Sequence, residues 1–173
     1  MFKIKLPFEA RKLAGLKAGD TVLISGTVYT ARDQAHKRLA RALNKRSSLS
    51  FDLKGQVIYY CGPGPKPRKK IIGSCGPTTS SRMDVFTPKL LKAGLIGMIG
   101  KGRRCRQVVE AIRKYKAVYF LAYAGCGALI SKYVKKMKLV AYRELGPEAI
   151  YQLEVCDLPL IVGIDAKGRS LYD

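Results

Sequence analysis

The apolar residues of this chain come in short runs, each soon closed by a glycine, a proline or a charge. None approaches the ~20 residues of a membrane-spanning helix, and most are rich in β-branched and aromatic side chains, which favours strands. Thr21–Ser25 and Val28–Thr30 read as two strands separated by a turn at Gly26, and Gln56–Tyr60 and Ala117–Leu121 as two more. Lys138–Tyr142, Ile150–Val155 and Leu160–Asp165 follow in the last third. Between the runs the apolar spacing becomes helical. His36, Leu39, Ala40 and Leu43 form one stripe, on a helix that Thr30-Ala31-Arg32-Asp33 opens with a hydroxyl cap and an acid three residues on. Thr87–Gly94 has Pro88 at its first position and a glycine at its end, and Cys105, Val108, Val109 and Ile112 mark a third helix. Strands and helices mix without strict alternation, so the expected fold is one α/β domain over residues 1–173 with a mixed sheet flanked by helices. Cys61–Lys70, with three prolines and two glycines, can only be an irregular basic loop.

Charge narrows the partners. The chain carries 33 basic and 12 acidic residues, a net +21, against a magnitude of roughly 2–8 for a small soluble domain. The excess is confined to residues 1–120, with 26 basic against 6 acidic; beyond them the counts are 7 and 6. A polyanion, an acidic protein or an anionic substrate is the expected counterpart. The N-terminus lacks an apolar stretch long enough for a signal peptide, which places the chain in the cytoplasm. Cys61, Cys75, Cys105, Cys126 and Cys156 show no CxxC spacing; most are expected to be small buried residues, with no metal site in this chain. His36 is the only histidine, so a His-rich metal centre is excluded.

Two glycine-rich stretches fail as nucleotide motifs. In Gly94–Gly102 the first glycine of a phosphate loop would fall at Leu95, and Gly102 replaces the hydroxyl residue after Lys101; Gly125-Cys126-Gly127 has Ile130 where a third glycine belongs. Gly76-Pro77-Thr78-Thr79-Ser80-Ser81-Arg82-Met83-Asp84 is more telling. Four consecutive hydroxyl residues and an arginine gather donors at the start of a predicted helix, a setting suited to a carboxylate. Arg32, at another helix start, opposes the macrodipole unless an anion sits between them. Lys101, flanked by glycines, can approach a ligand closely.

The segments Ile24–Arg38, Gly76–Asp84 and Ile99–Gly102, in that order, resemble the C-terminal domain or separate β subunit of the iron–sulfur hydro-lyases, class I fumarate hydratase and L-tartrate dehydratase. Gly146–Tyr151 and Asp165–Tyr172 are similar to the same family, so the resemblance covers nearly the whole chain. It implies a swivelling β/β/α domain that works with an acidic α subunit, in an α2β2 assembly, whose three cysteines hold a [4Fe-4S] cluster. It implies also that Arg32, Thr78, Arg82 and Lys101 face a C4 dicarboxylate: Arg32 and Arg82 as clamps, Lys101 on the developing enediolate oxygens, Thr78 near the reacting carbon. Asp33 and His36 are expected to support Arg32 and the helix, with His36 within reach of substrate.

The chemistry is consistent with that pattern. Dehydrating malate removes a proton beside a carboxylate and places extra negative charge on it, which preorganised cations stabilise. Fumarate is the expected substrate and L-tartrate the alternative. A different class, a basic nucleic-acid-binding protein, rests on the net charge and on Pro67–Lys70 and Arg103-Arg104, but no aromatic-rich nucleic-acid signature accompanies them.

Overall fold

The computed structural model describes residues 1–8, 10–45, 47–49 and 51–172, the side chains of 10–12 excepted. The chain begins with β1 (Phe2–Lys5), α1 (Ala10–Gly15), β2 (Thr21–Thr30), α2 (Asp33–Asn44) and β3 (Val57–Tyr59). A single 3-10 turn at Ser80–Met83 precedes α3 (Thr87–Lys92), β4 (Gly97–Gly100), α4 (Arg106–Tyr115), β5 (Val118–Leu121) and α5 (Gly127–Ile130). The last third holds β6 (Val134–Ala141) and β7 (Ile150–Ile164), joined through a 3-10 segment at Arg143–Glu148. No helix among the described residues is long and apolar enough to cross a membrane.

The expected mixed sheet is present, and it closes. β2, β3, β4 and β5 are parallel neighbours. β7 runs antiparallel to β5 and returns to pair with β2, which completes a ring of five strands. β1 lies parallel beside the first half of β2, and β6 antiparallel beside the first half of β7. Alternation then sorts the side chains. Val57, Tyr59, Ile99, Val118 and Phe120 join Val22, Ile24, Leu153 and Leu160 in one buried cluster to which all five ring strands contribute. Their neighbours Ile58, Tyr60, Met98 and Tyr119 face the other way, against Leu39, Leu90, Val108 and Ile112 of α2, α3 and α4.

Three expectations about the elements change. The two strands read on either side of Gly26 are one strand, β2. Gly26, at φ +121°, forms a bulge where the β2–β7 register shifts, and a Cβ there would lie 2.8 Å from that of Leu6. Ile150–Val155 and Leu160–Asp165 likewise fuse into β7. Asp157 (φ +51°) absorbs the bend opposite that bulge, its N–H donating to Ser25 Oγ at 2.8 Å. Thr30 does not cap α2. It is the buried last residue of β2, donating from Oγ1 to Ala149 O and accepting from Tyr151 N, so its hydroxyl is already taken. Arg32 is the cap residue, without a side-chain cap bond. Glu148 supplies the acid instead, accepting from Gln34 N at 2.7 Å.

The cysteines also depart from expectation. Cys61 and Cys75 are buried, and burial first pushes both thiols up, Cys75 to about 12. Cys105 and Cys156 are exposed, since one precedes α4 and the other points outward from β7.

Candidate active site

Parallel strands present their carboxyl ends on one side of a sheet, where ligand sites tend to form. β2 gives way there to Ala31 and Arg32, β3 to Tyr60, Cys61 and Gly62, and β4 to Lys101. The Thr78–Ser80 stretch is tied to the same ends. Thr78 N donates to Tyr60 O at 2.7 Å, Ser80 N donates to Lys101 O at 3.1 Å, and Thr79 bridges to Lys101 as a short parallel pair. Segments far apart in sequence are thereby held side by side by backbone hydrogen bonds.

Arg32, Asp33, Thr78 and Arg82 meet at this position. Arg82 grips the Asp33 carboxylate with both Nε and Nη2, each at 3.0 Å, and Nη2 also donates to Thr78 Oγ1 at 2.6 Å. Arg32 Nε donates to the same carboxylate at 3.2 Å and lies 3.7 Å from Glu148. Asp33 therefore sits between two guanidinium groups. Burial raises its proton affinity, but its backbone hydrogen bond, the bond from Arg32 and the charges of Arg82 and Arg32 hold the carboxyl below its ordinary range. The cluster is open to solvent, with the Arg82 side chain 47% exposed. Lys101 is half-buried at the adjoining strand end and makes no ion pair among the described residues. The arginines are less bare than their sequence context suggests, because Asp33 and Glu148 offset much of their charge.

A family model described as fumarase C-terminus matches residues 2–173. The chain belongs to that family. Among its relatives, a Methanocaldococcus jannaschii protein provisionally named L(+)-tartrate dehydratase subunit beta is 38% identical over 91% of this chain and 84% of its own length. The L(+)-tartrate dehydratase subunit beta of Escherichia coli is 34% identical over 95% and 83%. The aerobic class I fumarate hydratase of Salmonella typhimurium is 35% identical over 86% of this chain, which spans only 26% of that longer protein.

His36 lies beneath the arginine–aspartate cluster and is fully buried. Its Nδ1 is 3.0 Å from Arg32 O, the carbonyl that also accepts from His36 N at 2.8 Å. A carbonyl only accepts, so Nδ1 carries the hydrogen, and Nε2 has no partner among the described residues. Burial first, then the nearby Arg104 charge, pushes the imidazole down to about 4 against the pull of Arg32 O and Asp33. The ring is thus neutral at ordinary pH and lies away from the surface, against Tyr60.

Several supporting groups escape a reading of the sequence alone. Arg104, grouped there with exposed Arg103, is buried. Its Nε donates to Asp84 at 2.6 Å, its Nη2 to Thr87 at 2.8 Å, and its guanidinium lies over the Tyr60 and Tyr119 rings. Spacing cannot separate two adjacent arginines, because the partners that bury one come from other elements. Glu148 lies within Gly146–Tyr151, and its place beside Arg32 depends on β7 returning to β2. Among the described residues, no three His, Cys, Asp or Glu side chains converge to hold a metal ion.

Proposed function

We propose that this chain is the β subunit of a [4Fe-4S]-dependent hydro-lyase interconverting fumarate and L-malate. In this reading Arg32, Thr78, Arg82 and Lys101 form the dicarboxylate-binding half of a site shared with an α subunit. The cluster is assigned to that partner, in a cytoplasmic α2β2 enzyme, and the swivelling β/β/α description of the domain belongs to the same proposal. The observation that carries it is the carboxylate of Asp33 gripped by two guanidinium groups at the carboxyl ends of parallel strands. That arrangement is an internal likeness of how a substrate carboxylate would be held.

The dehydration breaks a C–H bond beside one carboxylate and a C–O bond on the neighbouring carbon. The C–H electron pair becomes the new double bond, and the C–O pair leaves with the hydroxyl. Negative charge builds on the carboxylate next to the deprotonated carbon before the hydroxyl departs. Arg32 Nη1 and Nη2 make no hydrogen bond among the described residues, so they remain free for a substrate carboxylate. Lys101 is assigned to the carboxylate on which charge develops. Thr78 accepts a hydrogen bond from Arg82, a contact that makes its own hydroxyl a stronger donor and its alkoxide less costly. This supports a proton-transfer role. Asp33 and His36 hold Arg32 from its side-chain and backbone ends.

A second reading, an L-tartrate dehydratase β subunit, is favoured by length: the two tartrate dehydratase relatives are separate chains largely spanned by this one. Both readings are tested by mixing the chain with its α partner under anaerobic iron–sulfur reconstitution and assaying fumarate and L-tartrate separately. Arg82→Ala is expected to lower turnover ~10²–10³-fold, the usual result of deleting one preorganised donor. Full turnover in that variant would overturn the site. The nucleic-acid reading loses Arg104 as a phosphate contact, because that side chain is buried and paired. Sequence-selective gel shifts at physiological salt would revive it.

A further inference from the structure

Ser80 and Tyr119 have no part in the mechanism above, yet both are fully buried directly behind it. Ser80 Oγ accepts from Lys101 N at 3.0 Å. Tyr119 Oη lies 2.9 Å from Ser80 Oγ and 3.0 Å from Gly102 O. Tyr119 has one hydroxyl hydrogen, and Gly102 O can only accept. All three contacts are met together when Tyr119 donates to Gly102 and Ser80 donates to Tyr119. Burial raises the Tyr119 phenol well above its ordinary value, so that hydrogen is always present. The relay thus starts at the backbone of Lys101, passes through Ser80 and Tyr119, and returns to the next residue, Gly102. The fit leaves no slack: a Cβ at Gly100 would stand 2.0 Å from Ser80 Oγ.

We infer that the Tyr119 hydroxyl is a positioning group: through Ser80 it locks the Lys101–Gly102 turn against the Thr78–Arg82 stretch, setting the ammonium relative to the arginine–threonine cluster. The catalytic part of this inference rests on the hydro-lyase reading; the locking of the turn does not.

The test is Tyr119→Phe, read by amide hydrogen exchange on the chain and by steady-state kinetics of the reconstituted enzyme. The Ser80 and Lys101 amides should exchange at least about tenfold faster while those shared by β2 and β7 are unchanged. kcat should fall about 10–100-fold, the scale of a small misplacement, with KM within about threefold. Should Tyr119→Phe fail to fold, Ser80→Ala breaks the same relay from its other end. Unchanged exchange at Ser80 and Lys101 overturns the inference, as does acceleration spread evenly over the barrel. Faster local exchange with unaltered kcat overturns its catalytic part and reduces Tyr119 to a structural residue. If the wild-type enzyme shows no hydro-lyase turnover, the functional reading fails separately and the exchange data still decide the relay.

Discussion

Acidification should destabilise this protein through one side chain. His36 is the only histidine, is fully buried, and has a proton affinity pushed down to about 4, whereas in the unfolded chain it titrates near its ordinary 6.5. Between those values the unfolded state takes up a proton that the native state refuses, so stability falls as pH falls and levels off below about 4. The full difference is worth about 3 kcal/mol, of which about 2.5 is already lost at pH 4.5. That is a large fraction of the ~5–15 kcal/mol that holds a typical domain together. The measurement is urea unfolding in half-unit steps from pH 7.5 to 4.5, for the wild type and for His36→Gln, whose amide can still donate to Arg32 O. The wild type should lose stability most steeply below pH 6.5, and the variant should be nearly flat down to about pH 5. Below that, carboxylates such as Asp33 and Asp165, both held below their ordinary range against burial by hydrogen bonds, with arginine charge adding at Asp33, contribute to both proteins alike. Parallel curves for the two proteins would refute the reasoning, as would an imidazole NMR signal titrating near 6.5 in the folded state.

Two further outcomes follow from the packing. Gly100→Ala should destabilise by about 1–3 kcal/mol, the usual range for overpacking, and should depress activity because the Ser80 turn must move; thermal unfolding and turnover of one sample check both. Asp84→Ala leaves the buried Arg104 guanidinium unpaired and should cost about 3–5 kcal/mol, read from the denaturant midpoint. In that case Arg104→Met with Asp84→Ala should recover part of the loss, whereas equal losses in the single and double variants would mean the pair is not the cause.

The local elements were largely legible because they depend on local patterning. The stripe around Leu39 on α2, Pro88 at the head of α3 and Val108 to Ile112 on α4, just past Cys105 at its cap, all fall on helices, as spacing predicts. What failed depends on neighbours. Gly26 reads as a turn until Leu6 is packed against it, and Asp157 reads as a break until Ser25 stands opposite. Thr30 reads as a helix cap until β7 claims its hydroxyl. The same limit applies to the site. Arg32, Thr78 and Arg82 could be singled out as residue types suited to anions, but Asp33 and Glu148 as their built-in counterions, and Ser80 and Tyr119 as the relay behind Lys101, exist only once the ring closes.

The sheet order leaves β1 and β6 at its two open margins, and both are studded with lysine: Lys3 and Lys5 on one, Lys135, Lys136 and Lys138 on the other, all exposed. Like charges along an unpaired strand repel a second copy before its backbone can dock, the common natural safeguard against edge-to-edge aggregation. Part of the basic surplus thus needs no polyanion to explain it: it lines the two strands that the closed ring leaves with a free edge.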